Sequence, residues 1–539
     1  MRYANILKSI PLRIPQMRPL NKRQVRNDAG GFVYATDRWA QLDRFLILGA
    51  EGGTFYASQD RQVTRNYDAL LACLKEDGPR TVARIKDVSV RGLAPKQDPA
   101  IFALAVAASQ GDLETRSLAL AAVTDVCRTA STFFQFLEEL KAFRKLTGRA
   151  VKRAIEAWYT ERSVGQLAYQ VVKYRSRAGW THQDAIRIGH PSPKGDGQRE
   201  ALYRYVARGE WPAEIAKPAT LVGFEAVQRA VKAKEVADLI VEYGLPREAV
   251  PTEFLSSPEV WEALLTSMPL TALIRNLGNM TKIGLLTPGN DATRRVVAKL
   301  GDREYLRKSR VHPMQVLVAL KTYASGRGLK GQGQWVPVSA IRSALDDAFY
   351  AAFENVTPTG KRFLVGVDVS SSMAWSRGLP GGLSACEVAA AMAMVWAATE
   401  PTCEVMGFCS QFVNLGFTRK MSLEEAISRA QQSNFGSTDC ALPMLWAAET
   451  GREFDVFVVI TDNETWSGQV HPSVALDRYR ARYVADARQV VLATSATPFT
   501  IADPRDPLAL DIVGFSADVP TVISAFVGGS SGVAEVEAF

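Results

Sequence analysis

The chain has 539 residues, 47% hydrophobic and 22% charged, which describes two or more globular domains and excludes a disordered, fibrous or disulfide-stapled chain. Its six cysteines (Cys73, Cys127, Cys386, Cys403, Cys409, Cys440) are scattered, with no C-x-x-C pair, so a reducing, cytoplasmic compartment is expected and a zinc ribbon is not. The net charge of +8 divides unevenly: residues 1–360 carry 52 Lys and Arg against 36 Asp and Glu, whereas residues 361–539 carry 12 against 20, so the first part suits a polyanion and the second suits cations.

Residues 1–26 hold seven basic side chains and no acid, but Pro11, Pro15 and Pro19 would break the amphipathic helix of a transit peptide. A basic arm that crosses the surface or a ligand is expected instead. The longest apolar run, Val388 to Ala398, has 11 residues. That is short of the ~18–20 that span a bilayer, so no membrane partner is expected.

From Thr36 to Phe353 the periodicity predicts helix after helix. Apolar residues recur at helical spacing in Tyr67–Leu74, Ala100–Ala108, Leu118–Val126, Phe133–Leu140, Ala150–Trp158, Phe224–Ala233 and Val260–Ser267. Short Gly/Pro turns such as Asp77-Gly78-Pro79 and Gly244-Leu245-Pro246 separate them, which predicts stacked helical pairs in an α-solenoid able to curve into a ring. No fixed-period repeat marks a regular array. Within this part, Val164–His190 reads as a helical hairpin. Lys173 and Arg177 are four residues apart on one helix, Gly179 ends it, and Thr181 with Asp184 starts the next. The hairpin gathers Lys173, Arg175, Arg177, His182 and Arg187 around one turn, with Tyr174 and Trp180 interleaved as base stacking beside phosphate contacts requires. The plainer alternative is a solvated basic hairpin whose Trp180 belongs to the core.

After Gly360 the period changes. Phe363–Asp368, Glu404–Phe408, Asp455–Ile460 and Gln489–Ala493 are short β-branched runs with helical patterns between them, predicting a doubly wound parallel sheet. Asp368-Val369-Ser370-Ser371-Ser372 directly follows the first strand, a D-x-S-x-S in which a carboxylate and two hydroxyls can face one side. Asp462 ends a later strand, and Thr438 lies in a loop. Oxygen-only ligands with few carboxylates suit a divalent ion, Mg²⁺ above all, with a position open to an incoming acidic group. A dehalogenase-type phosphotransferase would need a second Asp at position 370, where this chain has Ser. A structural Ser-rich turn is the other alternative.

The chain resembles the Ro autoantigen family, a TROVE module followed by a von Willebrand factor A domain. The resemblance runs from about Asn21 onward through Asn27-Asp28-Ala29-Gly30-Gly31, Arg44-Phe45-Leu46, the segment Gly49-Ala50-Glu51-Gly52-Gly53-Thr54-Phe55-Tyr56, the Val171–His190 hairpin, Pro269–Gly278 and Thr461-Asp462-Asn463-Glu464-Thr465. The compact chain is similar to a bacterial member. The resemblance implies residues 1–360 as a HEAT-like ring and 361–539 as a von Willebrand-like domain that closes it, in a monomer. It further implies small noncoding Y RNA on the basic outer surface, single-stranded 3′ ends of misfolded RNAs in a central hole, and a 3′-to-5′ exoribonuclease partner in RNA quality control and stress survival. Carried over by motif, Lys173, Arg175, Arg177, His182 and Arg187 resemble the Y RNA surface. Asp368, Ser370, Ser372, Thr438 and Asp462 resemble the metal-ion-dependent adhesion site, and Arg275, Asn279 and Lys282 after Pro269 are candidates for the hole.

A non-catalytic RNA scaffold is the leading function. Four histidines (His182, His190, His312, His471) are few for acid–base chemistry, and no Walker A loop, H-E-x-x-H or G-x-S-x-G is present. The rival enzyme, a metal-dependent nuclease or phosphatase using Asp368 and Asp462, has too few convergent carboxylates for two-metal hydrolysis. A third reading makes the C-terminal domain chiefly a metal-mediated protein-binding module.

Overall fold

A computed structural model describes residues 13–329, 333–353, 356–376, 379–432 and 436–528. From Arg38 to Ala351 the chain is almost wholly helical, and the turns follow from local chemistry. Asp77 closes one helix and opens the next: its N–H donates to the Cys73 carbonyl and its carboxylate accepts from the Arg80 N–H, with Pro79 in the first turn. Thr129, Ser163 and Thr181 each start a helix with a reciprocal capping box.

Each helix packs on its sequence neighbour and often on the helix of the next layer, as Asp98–Gln110 does on Ala130–Phe143 and Leu270–Lys282 on Pro313–Ala324. This is a HEAT-like solenoid. Two expected helices are corrected. The run Leu118–Val126 is split, because the helix Leu113–Ala121 is capped at Ala122 before the single turn Val123–Val126. The run Phe224–Ala233 crosses a break between helices Ala219–Val227 and Ala233–Tyr243: Gln228 and Arg229 tighten the last turn, and Val231 is left 79% exposed. Two helix faces happened to fall in phase across that break, which periodicity alone cannot separate.

The described strands are β1 (Gln24–Arg26), β2 (Phe32–Ala35), β3 (Ser176–Arg177), β4 (Trp180–Thr181), β5 (Arg362–Asp368), β6 (Thr402–Phe408), β7 (Phe412–Asn414), β8 (Val456–Thr461), β9 (Arg488–Ala493), β10 (Phe499–Thr500) and β11 (Ala509–Val513). The main sheet has the order β11-β9-β8-β5-β6-β7, parallel except for the edge strand β7. The four expected strands are β5, β6, β8 and β9; β7 and β11 are additions, too short or too mixed in polarity to stand out. Helix Ala385–Thr399 is buried almost along its whole length between this sheet and helix Leu423–Gln432, which explains why its sequence is apolar all round.

The N-terminal arm belongs structurally to the C-terminal unit. Strand β2 pairs with β10, and Gln16, fully buried, donates to Asp439 Oδ1 at 2.7 Å and to the Val470 carbonyl at 2.8 Å. The expected crossing is therefore over the chain's own second domain for residues 13–36; residues 1–12 lie outside the described residues.

The solenoid closes on itself and on the C-terminal domain. Near its two ends, Gln315 Nε2 donates to the Pro95 carbonyl at 3.2 Å and His312 Nε2 lies 3.3 Å from the Leu93 carbonyl. At one end Arg44, 1% exposed, donates from Nη1 to the carbonyls of Thr497 (2.7 Å) and Phe499 (2.9 Å) and from Nη2 to both oxygens of Asp511 (2.8 and 2.6 Å). At the other, Lys321 Nζ reaches Glu387 at 2.7 Å. The result is a ring shut by the von Willebrand-like domain. Truncating Arg44 would take the donor from two buried carbonyls and leave the Asp511 carboxylate without its charge partner, with the Thr500 hydroxyl still bonded to it at 2.7 Å. Arg44→Ala is therefore expected to cost about 3–5 kcal/mol. A thermal-unfolding midpoint lowered by several degrees checks this, and an unchanged midpoint contradicts it.

Candidate metal centre and nucleic-acid surface

Strands β5 and β8 are adjacent and parallel, so Asp368 at the end of one and Asp462 just past the other meet at the same carboxyl edge. All five expected ligands are buried: Asp368 and Thr438 at 0% exposed, Ser370 and Ser372 at 1%, Asp462 at 4%. Asp368 Oδ1 accepts from the Ser370 N–H at 2.9 Å and Oδ2 from the Thr461 hydroxyl at 2.6 Å. The Ser370 and Ser372 hydroxyls are 3.1 Å apart. Burial, then the charge of Asp462, pushes the Asp368 carboxyl well above the ordinary carboxylate range, and burial raises Asp462 too. The Thr438 hydroxyl, although buried, has no hydrogen-bond partner among the described residues. Two carboxylates that resist sharing an anion-rich pocket and an orphaned hydroxyl make a donor set that a hard divalent cation would satisfy.

The loop carrying Asp462 is held from outside the domain. Asn27 folds a turn by accepting from the Gly31 N–H (2.7 Å) and donates to the Thr465 carbonyl (2.8 Å), while the Ala29 N–H donates to Glu464 Oε2 (2.8 Å). Gly31 passes so close to this loop that a Cβ would lie 1.9 Å from the Thr465 carbonyl oxygen. Asp28 ties the same turn to Arg65, at 2.7 and 2.9 Å, on helix Gln59–Glu76. The N-D-A-G-G motif thus staples arm, first helices and candidate metal loop together.

The basic hairpin departs from its expected form. The helix Val164–Lys173 stops at Tyr174, and Ser176–Arg177 pairs with Trp180–Thr181 around Ala178-Gly179, both at positive φ (50° and 76°). That is a two-residue turn of type I′, in which Gly179 serves a β-hairpin and does not end a helix. Lys173 and Arg177 accordingly do not share a helix face.

Trp180 is 6% exposed and donates to Glu138 at 2.7 Å, so it belongs to the core. His182 is corrected as well: it is 3% exposed, 2.9 Å from the Tyr159 hydroxyl and edge-on to Phe134, and burial lowers its pKa to about 4. A neutral, enclosed imidazole cannot meet a phosphate. The remaining cations stay at the surface. Lys173 is half-buried against the rings of Tyr169 and Tyr174, and Arg175 lies over Phe224 with a bond to the Glu248 carbonyl at 3.1 Å. Arg177 and Arg187 are exposed and form no ion pair among the described residues.

Arg275, Asn279 and Lys282 all line one cavity of about 780 Å³, whose wall also includes Lys96, Trp335 and, from the C-terminal domain, Gly381. Positions 275, 278, 279 and 282 fall on one face of helix Leu270–Lys282, whereas Leu273, Ile274, Leu277 and Met280 turn into the core. Arg275 and Lys282 are exposed and have no carboxylate partner among the described residues.

The pattern described as the TROVE domain matches residues 25–238 and 241–322, and that of the Ro60 vWA domain matches residues 362–527. The chain belongs to the Ro family. It is 42% identical over 534 residues to the RNA-binding protein RO60 of Deinococcus radiodurans, covering 97% of this chain and 99% of that one. It is 34% identical over 600 residues to the RNA-binding protein RO60 of Caenorhabditis elegans, covering 97% and 92%. The crystal structure of the Deinococcus radiodurans RO (RSR) protein superposes with a TM-score of 0.69 at 39% identity, covering 92% of this chain and all of that one.

On this Ro scaffold the sequence reading missed Lys96 and Trp335 as cavity residues. They come from loops distant in sequence: ring closure brings Lys96 to the helix after Pro269, and the packing of Pro313–Ala324 on Leu270–Lys282 brings Trp335. Two of the three buried histidines, His182 and His312, also set an acid limit. His182 and His312 both sit near pKa 4 through burial, against about 6.5 when unfolded. The unfolded chain binds those protons first, so the stability from keeping each ring neutral is complete above about pH 6.5 and is lost as pH falls toward 4, by about 3 kcal/mol each. Denaturant titrations at pH 7 and pH 4.5 check this: His182→Phe should flatten the fall, and an equally steep fall in that variant contradicts the assignment.

Proposed function

We propose that this Ro-family chain is a non-catalytic RNA-binding protein of RNA quality control and stress survival. In this reading residues 1–360 form the RNA-binding ring and residues 361–539 carry a divalent-metal site. Exposed Arg175, Arg177 and Arg187, with Lys173 beside them, take the phosphates of a small noncoding Y RNA on the outer surface. The cavity holding Arg275, Asn279 and Lys282 takes the single-stranded 3′ end of a misfolded or structured RNA. The observation that carries this reading is the face of helix Leu270–Lys282 in the cavity wall, where Arg275 and Lys282 have no carboxylate partner among the described residues. RNA-binding relatives that align over nearly the whole chain support the same reading.

Asp368, Ser370, Ser372, Thr438 and Asp462 would hold Mg²⁺, and the Thr438 hydroxyl, without a hydrogen-bond partner among the described residues, supports that fit. The ion would supply a Lewis-acidic position for a partner's carboxylate. Two carboxylates and several hydroxyls are too few to clamp both oxygens of a phosphodiester displacement, so the site reads as adhesive. A monomer acting in the cytoplasm with a 3′-to-5′ exoribonuclease completes the proposal.

The test is a gel-shift series with a structured RNA, with and without a single-stranded 3′ tail, at two salt concentrations, with products assayed for cleavage. Tail-enhanced, salt-sensitive binding without cleavage supports the proposal; cleavage that needs both Mg²⁺ and Asp368 contradicts it. Arg177→Glu with Arg187→Glu should weaken the untailed RNA about tenfold or more and leave the unfolding midpoint unchanged. Asp368→Ala should abolish Mg²⁺ binding by calorimetry, and Mg²⁺ binding as in the unaltered chain would discredit the metal assignment.

A further inference from the structure

Trp335 stands in the wall of the cavity with Arg275 and Lys282, and its position is over-determined. Its indole N–H donates to the Tyr323 carbonyl at 2.9 Å, and its backbone N–H donates to the Gly326 carbonyl at 2.9 Å. Tyr323, 1% exposed, lies nearly parallel to it, with an interplanar angle of 22° and ring centroids 6.1 Å apart. The six-membered edge of the indole occupies the space above Gly278, where a Cβ would come within 2.5 Å of the ring. Gly278 is helical, so its value there is space and not backbone freedom.

Trp158, Trp261 and Trp396 are wholly enclosed, at under 2% exposed, whereas Trp335, like Trp39 and Trp211, is only partly covered. Trp335 has its only ring N–H satisfied from the protein side and is still partly exposed, beside a cavity in which Lys96 pairs with Glu51 but Arg275 and Lys282 have no carboxylate partner among the described residues. A rigid aromatic surface beside free cations is the combination that binds an unpaired nucleotide, the ring taking the base and the cations the phosphates. A cavity for an apolar small molecule would have no use for Arg275 and Lys282. One for an anion alone would have no use for an indole.

We propose that Trp335, seated on Gly278 and backed by Tyr323, is a stacking platform for one unpaired nucleobase inside the cavity. The proposal rests on the reading that a single RNA strand enters there, and it adds which wall the strand meets and with which part of the nucleotide. Stacking accepts every base, so the platform selects unpaired over paired nucleotides without selecting sequence. Bases within a duplex have both faces covered by their neighbours and offer it nothing.

The experiment compares the full chain with Trp335→Leu, Trp335→Phe, Gly278→Ala and Lys282→Glu, using oligo(A), oligo(U) and an abasic oligomer of the same length. Trp335→Leu should weaken oligo(A) roughly 5- to 100-fold, the factor that one stacked base is worth, and leave the abasic oligomer unchanged. Trp335→Phe should keep most of the affinity, and Gly278→Ala should mimic Trp335→Leu by displacing the ring. Lys282→Glu should weaken all three oligomers. Should the Leu variant fail to fold, photocrosslinking of bromouridine RNA to the unaltered protein is expected to mark the peptide containing Trp335. Wild-type affinity for oligo(A) in a folded Trp335→Leu chain, or crosslinks only elsewhere, overturns the platform. If Lys282→Glu still weakens binding in that case, the cavity reading survives. If Lys282→Glu has no effect either, both fall.

Discussion

The buried guanidinium of Arg44 is the constraint on which the architecture turns. A solenoid has two open ends, and nothing in helix-on-helix packing obliges them to meet. Arg44 fixes the first helix to β10, β11 and the loop between β9 and β10 through backbone carbonyls and the Asp511 carboxylate. Lys321 with Glu387 fixes the far end of the helical run to the same domain. A carboxylate and two carbonyls out of water would be costly alone, and so would the arginine; together they satisfy each other at one geometry. The domain then acts as a clasp, and the cavity exists because the clasp is shut.

The same closure links the two candidate sites. The N-terminal turn at Asn27–Gly31 touches the loop of Asp462, while Asp28 grips helix Gln59–Glu76 through Arg65. Pro380 and Gly381, which follow the D-x-S-x-S segment in sequence, contribute to the cavity wall, and Gly381 lies against Val318 of the ring. Candidate metal loop, ring helices and cavity are therefore contiguous in packing. The charge asymmetry of the sequence is laid out accordingly: an excess of cations around the ring, and buried carboxylates at the sheet edge.

Much of this was legible in the sequence because it rests on short-range rules. Capping residues, Gly/Pro turns and β-branched runs act over a few residues, and they gave the helices, four of the six main-sheet strands and the Asp368/Asp462 edge. What was not legible depended on contacts distant in sequence. His182 and Trp180 look like ligand groups in a basic hairpin, but Tyr159, Phe134 and Glu138, more than twenty residues upstream, enclose them. Gly179 fits a helix end or a type I′ turn equally well, and the pairing of Arg177 with Trp180 decides it. Trp335 reaches the cavity from a loop some fifty residues beyond the helix whose cations it joins.

The most direct test is a crystal structure of the full chain with a duplex RNA carrying a single-stranded 3′ tail. The account predicts the tail in the cavity, with phosphates at Arg275 and Lys282, and the helical part of the RNA outside the ring. A strand bound elsewhere, with the cavity empty of RNA, would contradict it.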